Sequence, residues 1–318
     1  MTQSSEAAEP TPAEGPVETE ATETAAEEAT PEVIHVAAPA RSGRRGLLTA
    51  GVGAAALVVG AGGGYFVGRL GAGGGYDTAA GDPHHPKFTY EGETGPDHWG
   101  ELSPLTEVCA RGNLQSPVDI TPRKLHQVDW LEPLKIEYKP TPARAVHTGY
   151  TFQVNYDPGS KLTYLGADYE VVQFHFHTPS EHLVNGRPYD MELHIVHARK
   201  GAPDFLAVLG VLINAGAENP LFAKFWQSMP DKPATKEIKA GGSLNVAEAL
   251  PANRDFWTYA GSLTTPPCTE RVTWLLLKEP IQASRAQIGR FAEVFGKNAR
   301  PVQPLGDRFV IEKLQPTV

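Results

Sequence analysis

Residues 171–183 read VVQFHFHTPSEHL and carry two histidines inside an apolar run. Val171, Val172, Phe174 and Phe176 predict a buried β-strand. Side chains alternate faces along a strand, so His175 and His177 share one face and the two phenylalanines share the other. Two neutral imidazoles side by side can chelate one ion, and zinc is the usual guest of several imidazoles. A third candidate lies in Met191-Glu-Leu-His-Ile-Val-His197. There His194 shares a face with Glu192, which could accept the N–H of the imidazole nitrogen that does not bind metal. If a neighbouring strand sets His194 beside His175 and His177, the result is three protein ligands and one open position, the arrangement of catalytic zinc.

Other readings of the same stretch are weaker. His175-x-His177-x-x-x-Glu181 fits the first metal motif of cupins. Gly186 comes too early for that pattern, however, and no Pro-x-Gly-x-x-His follows. His182 and His197 read as structural histidines, and His84 and His85 sit in a polar linker. His35, His98 and His126 have no chemical partner identifiable in the sequence.

The elements that must position these residues are mostly strands. The chain has 318 residues, 41% apolar and 20% charged, with 32 glycines and 28 prolines, which favours β-rich structure with many turns. Strand-like runs cover Thr151–Tyr156, Tyr169–Phe176, Met191–Ala198, Leu206–Ile213, Thr273–Lys278 and Arg308–Ile311, and helical periodicity is confined to Leu221–Met229 and Ser284–Phe295.

The net charge of −9 is local. Residues 1–40 hold nine glutamates and no Asp, Lys or Arg, and subtracting them from 37 acidic residues leaves 28 against 28 basic ones. A neutral remainder gives no sign of a nucleic-acid partner. Residues 1–40 lack aromatics and are expected to be disordered. Residues 41–70 begin with Arg41-Ser-Gly-Arg-Arg45. The 23 uncharged residues 46–68 follow, and 13 of them are Gly or Ala. That is long enough to span a bilayer and resembles a twin-arginine export signal. An uncleaved signal anchor is the competing reading, and the membrane contact would then be limited to residues 46–68. Both place the remainder outside the cytoplasm, beyond a linker at 71–85. Cys109 and Cys268 could be free thiols or one disulfide.

Several longer motifs share one resemblance. Gly95-Pro-Asp-His-Trp99, Gln115-Ser-Pro-Val-Asp-Ile120, Gln173-Phe-His-Phe-His177, Glu192-Leu-His194, Gly261-Ser-Leu-Thr-Thr-Pro-Pro-Cys-Thr-Glu270 and Asn298-x-Arg-Pro-Val-Gln-Pro-Leu305 occur in order and at family spacing. Together they resemble an α-class carbonic anhydrase of the exported bacterial type, over about Phe88 to Ile311. The resemblance implies a mainly β single domain over residues 86–318, built on a large, twisted, mainly antiparallel sheet with a few short surface helices. It implies Zn2+ on His175, His177 and His194, and reversible hydration of carbon dioxide to bicarbonate by a zinc-bound hydroxide. Gln173 and Glu192 match partners of the zinc histidines. Thr264 matches the threonine that orients the nucleophile, Glu181 the acceptor of that threonine's proton, and Thr265 a residue that helps hold bicarbonate. Val196, Val208, Leu263 and Trp274 match the apolar wall for carbon dioxide. Cys109 and Cys268 match the family disulfide.

One position departs from the pattern. Tyr150 stands where fast members carry a proton-shuttle histidine, and a phenol is a poor relay at neutral pH. His147, three residues earlier, is the other shuttle candidate. A carbonic-anhydrase-like binding module is the rival reading, and self-association as a homodimer is left open.

Overall fold

The computed structural model describes residues 86–313, except 122–124, 129 and 233–236, together with two short strands nearer the N-terminus. Those strands, β1 (Ala55–Val59) and β2 (Tyr65–Arg69), pair antiparallel within the Gly/Ala-rich stretch. The acidic segment, the arginine pair, the linker and most of the expected signal or anchor lie outside the described residues. No helix among the described residues is long and apolar enough to cross a membrane.

The remaining strands follow in order: β3 (Asp119–Ile120), β4 (Leu125–Gln127), β5 (Lys135–Glu137), β6 (Thr141–His147), β7 (Phe152–Asn155), β8 (Lys161–Tyr164) and β9 (Ala167–His177). After them come β10 (Leu183–Val184), β11 (Met191–Arg199), β12 (Ala202–Ala215), β13 (Ile238–Leu244), β14 (Phe256–Gly261), β15 (Val272–Ala283) and β16 (Val310–Lys313). Twelve of them form one sheet in the order β13-β6-β7-β9-β11-β12-β15-β14-β16-β4, with β8 and β5 branching from β9. Pairing in this sheet is antiparallel except for β12 with β15 and β16 with β4. The described residues hold three short α-helices: α1 (Val108–Arg111), α2 (Pro220–Trp226) and α3 (Arg285–Phe295). All six strands and both helices expected from periodicity are there, with shifted ends.

Alternation divides the central strands into two apolar layers. Phe174, Phe176, Leu193, Ile195, Leu209, Val211, Leu275 and Leu277 point into the larger core. Val196, Val208, Leu212, Trp274 and Leu276 belong to a smaller cluster on the other face. α2 covers the larger core with Leu221, Phe222, Phe225 and Trp226, all buried. It starts where Asn219 accepts the N–H groups of Leu221 and Phe222, with Pro220 at its first position. α3 starts on a reciprocal Ser284–Gln287 cap and seats Phe291 beside Phe176 and Trp226.

Strict alternation fails within β9, and the failure matters. Val196 pairs with Gln173, yet the next residue, His197, pairs with Val171. Val172 is therefore the extra residue of a β-bulge, which reverses the facing of everything after it. Tyr169 and Val171 face the larger core, as do Phe174 and Phe176, although the two pairs are separated by an odd number of residues. The bulge lets one strand serve the core along its length and still turn His175 and His177 to the opposite face.

Phe176 is fully buried and its ring meets those of Phe174, Phe222, Phe225, Trp226 and Phe291. Phe176→Ala is expected to lower unfolding free energy by about 3–5 kcal/mol, measured by guanidinium titration. A loss of less than about 1 kcal/mol would mean that this aromatic cluster does not anchor the sheet.

Candidate metal centre

His194 on β11 pairs directly with His175 on β9, and His177 is two residues further along β9. The sheet thus brings all three rings together on one face. The ring centroids of His175 and His177 are 5.0 Å apart, of His175 and His194 5.2 Å, and of His177 and His194 4.6 Å. One nitrogen from each lies within 4.8 Å of the other two. His177 and His194 are buried, and His175 is half-buried at the open side.

Each imidazole gives its other nitrogen to an acceptor. His175 Nδ1 donates to Gln173 Oε1 at 2.8 Å, and His177 Nδ1 donates to the carbonyl of Asn298 at 2.7 Å. His194 Nε2 donates to Glu192 Oε1 at 2.9 Å. These bonds fix the tautomers and leave Nε2 of His175, Nε2 of His177 and Nδ1 of His194 as lone-pair donors facing one another. His177 Nε2 is a buried polar atom with no hydrogen-bond partner among the described residues. A buried, unsatisfied nitrogen is costly unless something binds it. With one ring nitrogen of His175 and one of His194 close by, it fits a divalent cation with a nitrogen preference, and zinc is one such ion.

Burial pushes all three imidazoles below the ordinary histidine value, His177 to about 3, and the neighbouring rings add to this at His175 and His177. They are therefore neutral at neutral pH, as metal binding requires.

Glu192 is the anchor behind His194. Its Oε1 accepts from His194 and also from His182 Nδ1 at 2.8 Å; its Oε2 accepts the backbone N–H groups of Glu181 and His182 at 2.9 Å each. Burial opposes ionisation of this carboxyl, but the two imidazoles and their hydrogen bonds outweigh it and hold Glu192 well below the usual carboxylate range. His182 lies 2.6 Å from the Tyr259 hydroxyl through its other nitrogen, so it braces Glu192 and has no nitrogen left for metal. Gly210 pairs with His194 across β11 and β12. A Cβ there would lie 2.7 Å from Leu276 Cδ1 and 3.1 Å from Glu192 Oε1, so the missing side chain makes room for the Glu192 carboxylate.

Glu181 is also buried. Its Oε1 accepts the backbone N–H of Arg300 at 2.9 Å, and its Oε2 makes no hydrogen bond within 3.5 Å among the described residues. Burial pushes its carboxyl up; the Arg300 N–H and the Thr264 hydroxyl act against that rise. Thr264 is buried in the loop after β14, between Leu263, whose N–H donates to Thr269 O at 3.1 Å, and Thr265, whose carbonyl accepts from Cys268 N–H at 2.9 Å. Cys268 is disulfide-bonded to Cys109.

The four residues of the expected apolar wall are brought together. Val196 pairs with Val208, and Val208 pairs with Trp274, so they form a row across β11, β12 and β15 on the histidine face. The Trp274 ring lies 4.8 Å from that of His194, and Leu263 joins the same cluster.

The two shuttle candidates are placed differently. Tyr150 stacks on Phe88 with centroids 4.2 Å apart, and burial pushes its phenol up to about 12. His147 is buried and pairs with Phe152, while the adjacent Gln153 pairs with His175. His147 therefore faces away from the three histidines, with its ring 4.5 Å from Phe295 and its Nδ1 accepting the Gly149 N–H. The structure does not bring it to the site.

Two buried imidazoles and one half-buried one, with a nitrogen of each within 4.8 Å of the other two, form a cluster that could hold a metal ion on one face of the large sheet. Comparison with known proteins gives the family. The profile of the eukaryotic-type carbonic anhydrases matches residues 94–314. A carbonic anhydrase of Nostoc sp. is 45% identical over 227 residues, spanning 71% of this chain and 85% of the relative. One from Klebsiella pneumoniae is 39% identical over 229 residues, spanning 71% and 90%. Among solved structures, the α-carbonic anhydrase of Thermovibrio ammonificans, in complex with the inhibitor sulfanilamide, superposes with a TM-score of 0.68 at 40% identity, covering 71% of this chain and 99% of that one. Dioscorin complexed with ascorbate superposes at 0.67 with 28% identity, covering 73% and 100%. The chain belongs to the eukaryotic-type, or α-class, carbonic anhydrase family. It is an enzyme of that family, whose reaction is the hydration of carbon dioxide.

In the metal-free protein the folded state keeps the three imidazoles unprotonated, whereas the unfolded chain takes up protons near pH 6.5. The unfolded state then binds more protons, so this contribution to stability is complete above about pH 6.5 and is lost as pH falls through it. The melting temperature of the metal-free protein is expected to fall between about pH 7 and 5, followed by calorimetry. A flat or rising trend would contradict the neutral assignment.

Proposed function

We propose that the chain hydrates carbon dioxide reversibly with one zinc ion held by Nε2 of His175, Nε2 of His177 and Nδ1 of His194. The observation that carries this is the set of three free imidazole nitrogens, each opposite a nitrogen already committed to an acceptor. When bound there, zinc supplies a water acidic enough to ionise near neutral pH, and neutral ligands leave the ion's charge undiluted for that purpose.

The protein's own groups do the rest. A threonine has one hydroxyl proton to donate. Thr264 would give it to the Glu181 carboxylate, whose rise its hydroxyl opposes, so that its lone pairs face the attacking oxygen and orient it. Thr265 helps to hold bicarbonate. Val196, Val208, Leu263 and Trp274 offer an apolar wall to an uncharged, apolar substrate. The family pattern at Tyr150 and the facing of His147 leave protons to pass directly to buffer. The disulfide supports an extracytoplasmic location, to which the arginine pair and apolar stretch would direct the chain.

Chelator-treated protein is expected to lose carbon dioxide hydration and to regain it with one equivalent of zinc, followed by stopped flow and calorimetry. Failure to bind zinc would favour the rival reading, a binding module on the same fold. Val208→Tyr is expected to lower kcat/KM at least about tenfold, which corresponds to roughly 1.4 kcal/mol of lost transition-state stabilisation. An unchanged value would move the substrate away from this wall. His147→Ala is expected to leave the dependence of kcat on buffer concentration unchanged; a selective loss at low buffer would make it a proton carrier.

A further inference from the structure

Glu181 and Thr264 come from distant parts of the chain, and a run of buried hydrogen bonds links Glu181 to the loop that carries Thr264. Arg300 holds Glu181 Oε1 with its backbone N–H at 2.9 Å. Its guanidinium reaches away from Glu181: Nη1 donates to Gln115 Oε1 at 2.9 Å and to Ser116 O at 2.8 Å, and Nη2 donates to Cys109 O at 2.8 Å. The dipeptide Gln115-Ser116 then grips the Thr264 loop on both sides. Gln115 Nε2 donates to Cys268 O at 3.1 Å, on the far side of Thr264. Ser116 N–H donates to Ser262 Oγ at 2.9 Å, and Ser262 N–H donates back to Ser116 Oγ at 3.1 Å, on the near side. Gln115, Ser116, Glu181, Ser262, Thr264, Cys268 and Arg300 are all buried.

We infer that Arg300 and the Gln115-Ser116 dipeptide are positioning residues that set the distance and orientation between Thr264 and Glu181. They touch neither substrate nor the candidate ligands; they act through the pair. This rests on the reading, given above, that Thr264 and Glu181 orient the nucleophile. The residue types follow from the geometry. One planar guanidinium can serve three acceptors in fixed directions, which a single ammonium on a flexible stem cannot do. Gln115 must accept from Arg300 and donate to Cys268 at once, and a side-chain amide is the group that does both. The bonds to Ser262 and Cys268 bracket the five residues 263–267, so a shift of the Arg300 guanidinium or of Gln115 would move Thr264 relative to Glu181, while the three histidines sit on the sheet strands. This gives a task to the Gln115-Ser-Pro motif and to the arginine of Asn298-x-Arg, which metal binding and the apolar wall leave unexplained.

The test is a double-mutant cycle on zinc-loaded protein, assayed well below each variant's melting temperature. Arg300→Lys and Gln115→Ala are each made in the native background and in Thr264→Ala. In the native background each is expected to lower kcat/KM for carbon dioxide hydration about tenfold. In the Thr264→Ala background each is expected to change it by less than about twofold, because the pair it positions is already broken. Zinc affinity should stay unchanged throughout. A crystal structure of Gln115→Ala should show a longer separation of the Thr264 hydroxyl from the Glu181 carboxylate. Should Arg300→Lys not fold, Gln115→Ala decides alone. The same loss in both backgrounds, or activity kept in both single variants, overturns the inference. Full activity in Thr264→Ala alone overturns instead the reading on which it rests.

Discussion

A buried imidazole offers a lone pair in a fixed direction only when its other nitrogen is committed elsewhere. This constraint is met three times in one small volume, and each time by a different kind of acceptor. Gln173 supplies His175 with an amide oxygen and Glu192 supplies His194 with a carboxylate, each from the histidine's own strand, and Asn298 supplies His177 with a main-chain carbonyl from beyond the last helix. The carboxylate is the demanding member. A buried anion must have its lone pairs satisfied, and Glu192 has four donors around it, two imidazoles and two backbone N–H groups. His182, Tyr259 and the gap at Gly210 exist in this fold around that requirement.

The sheet answers the same constraint at larger scale. Its two faces carry separate apolar layers, and the metal centre needs polar groups on one of them without opening the other. The Val172 bulge changes the phase of β9 between its two halves. Tyr169 and Val171 therefore serve the same core as Phe174 and Phe176, and His175 and His177 still reach the site. From His194 the register then runs straight to the apolar wall: Val196 is two residues along β11, with Val208 and Trp274 directly across. Ligand and wall are thus held in one rigid frame, with spacing set by the pleat.

Much of this was legible in the sequence because strands announce themselves through period-two patterns. The HFH and ELH stretches give three candidate ligands and one acceptor, Glu192, and the family resemblance adds Gln173. What stayed hidden has physical reasons. β6 contains Pro142 and Arg144, β13 contains Gly241 and Gly242, and neither reads as a strand. The acceptor of His177 is a backbone carbonyl, which every residue possesses, so Asn298 had no side-chain signal for that role. The Val172 bulge is invisible because two valines in succession suit a regular strand equally well. His147 looked available by position in the sequence, and only the pairing of Phe152 with it shows which face it takes.

The fold alone does not determine the chemistry. The same superposition that places this chain beside an α-carbonic anhydrase places it at nearly equal score beside dioscorin complexed with ascorbate. What separates catalysis from mere likeness is local: three imidazole nitrogens close together, a largely apolar wall beside them, and, in the function proposed, a threonine that orients the nucleophile. The first two come with the rigid sheet. The third would join a loop to a buried carboxylate that the sheet does not connect, and the hydrogen bonds that link the two segments come from side chains more than a hundred residues away in sequence. A chain could therefore keep the sheet and the histidines and still lose its orientation of the nucleophile by changes remote from the metal.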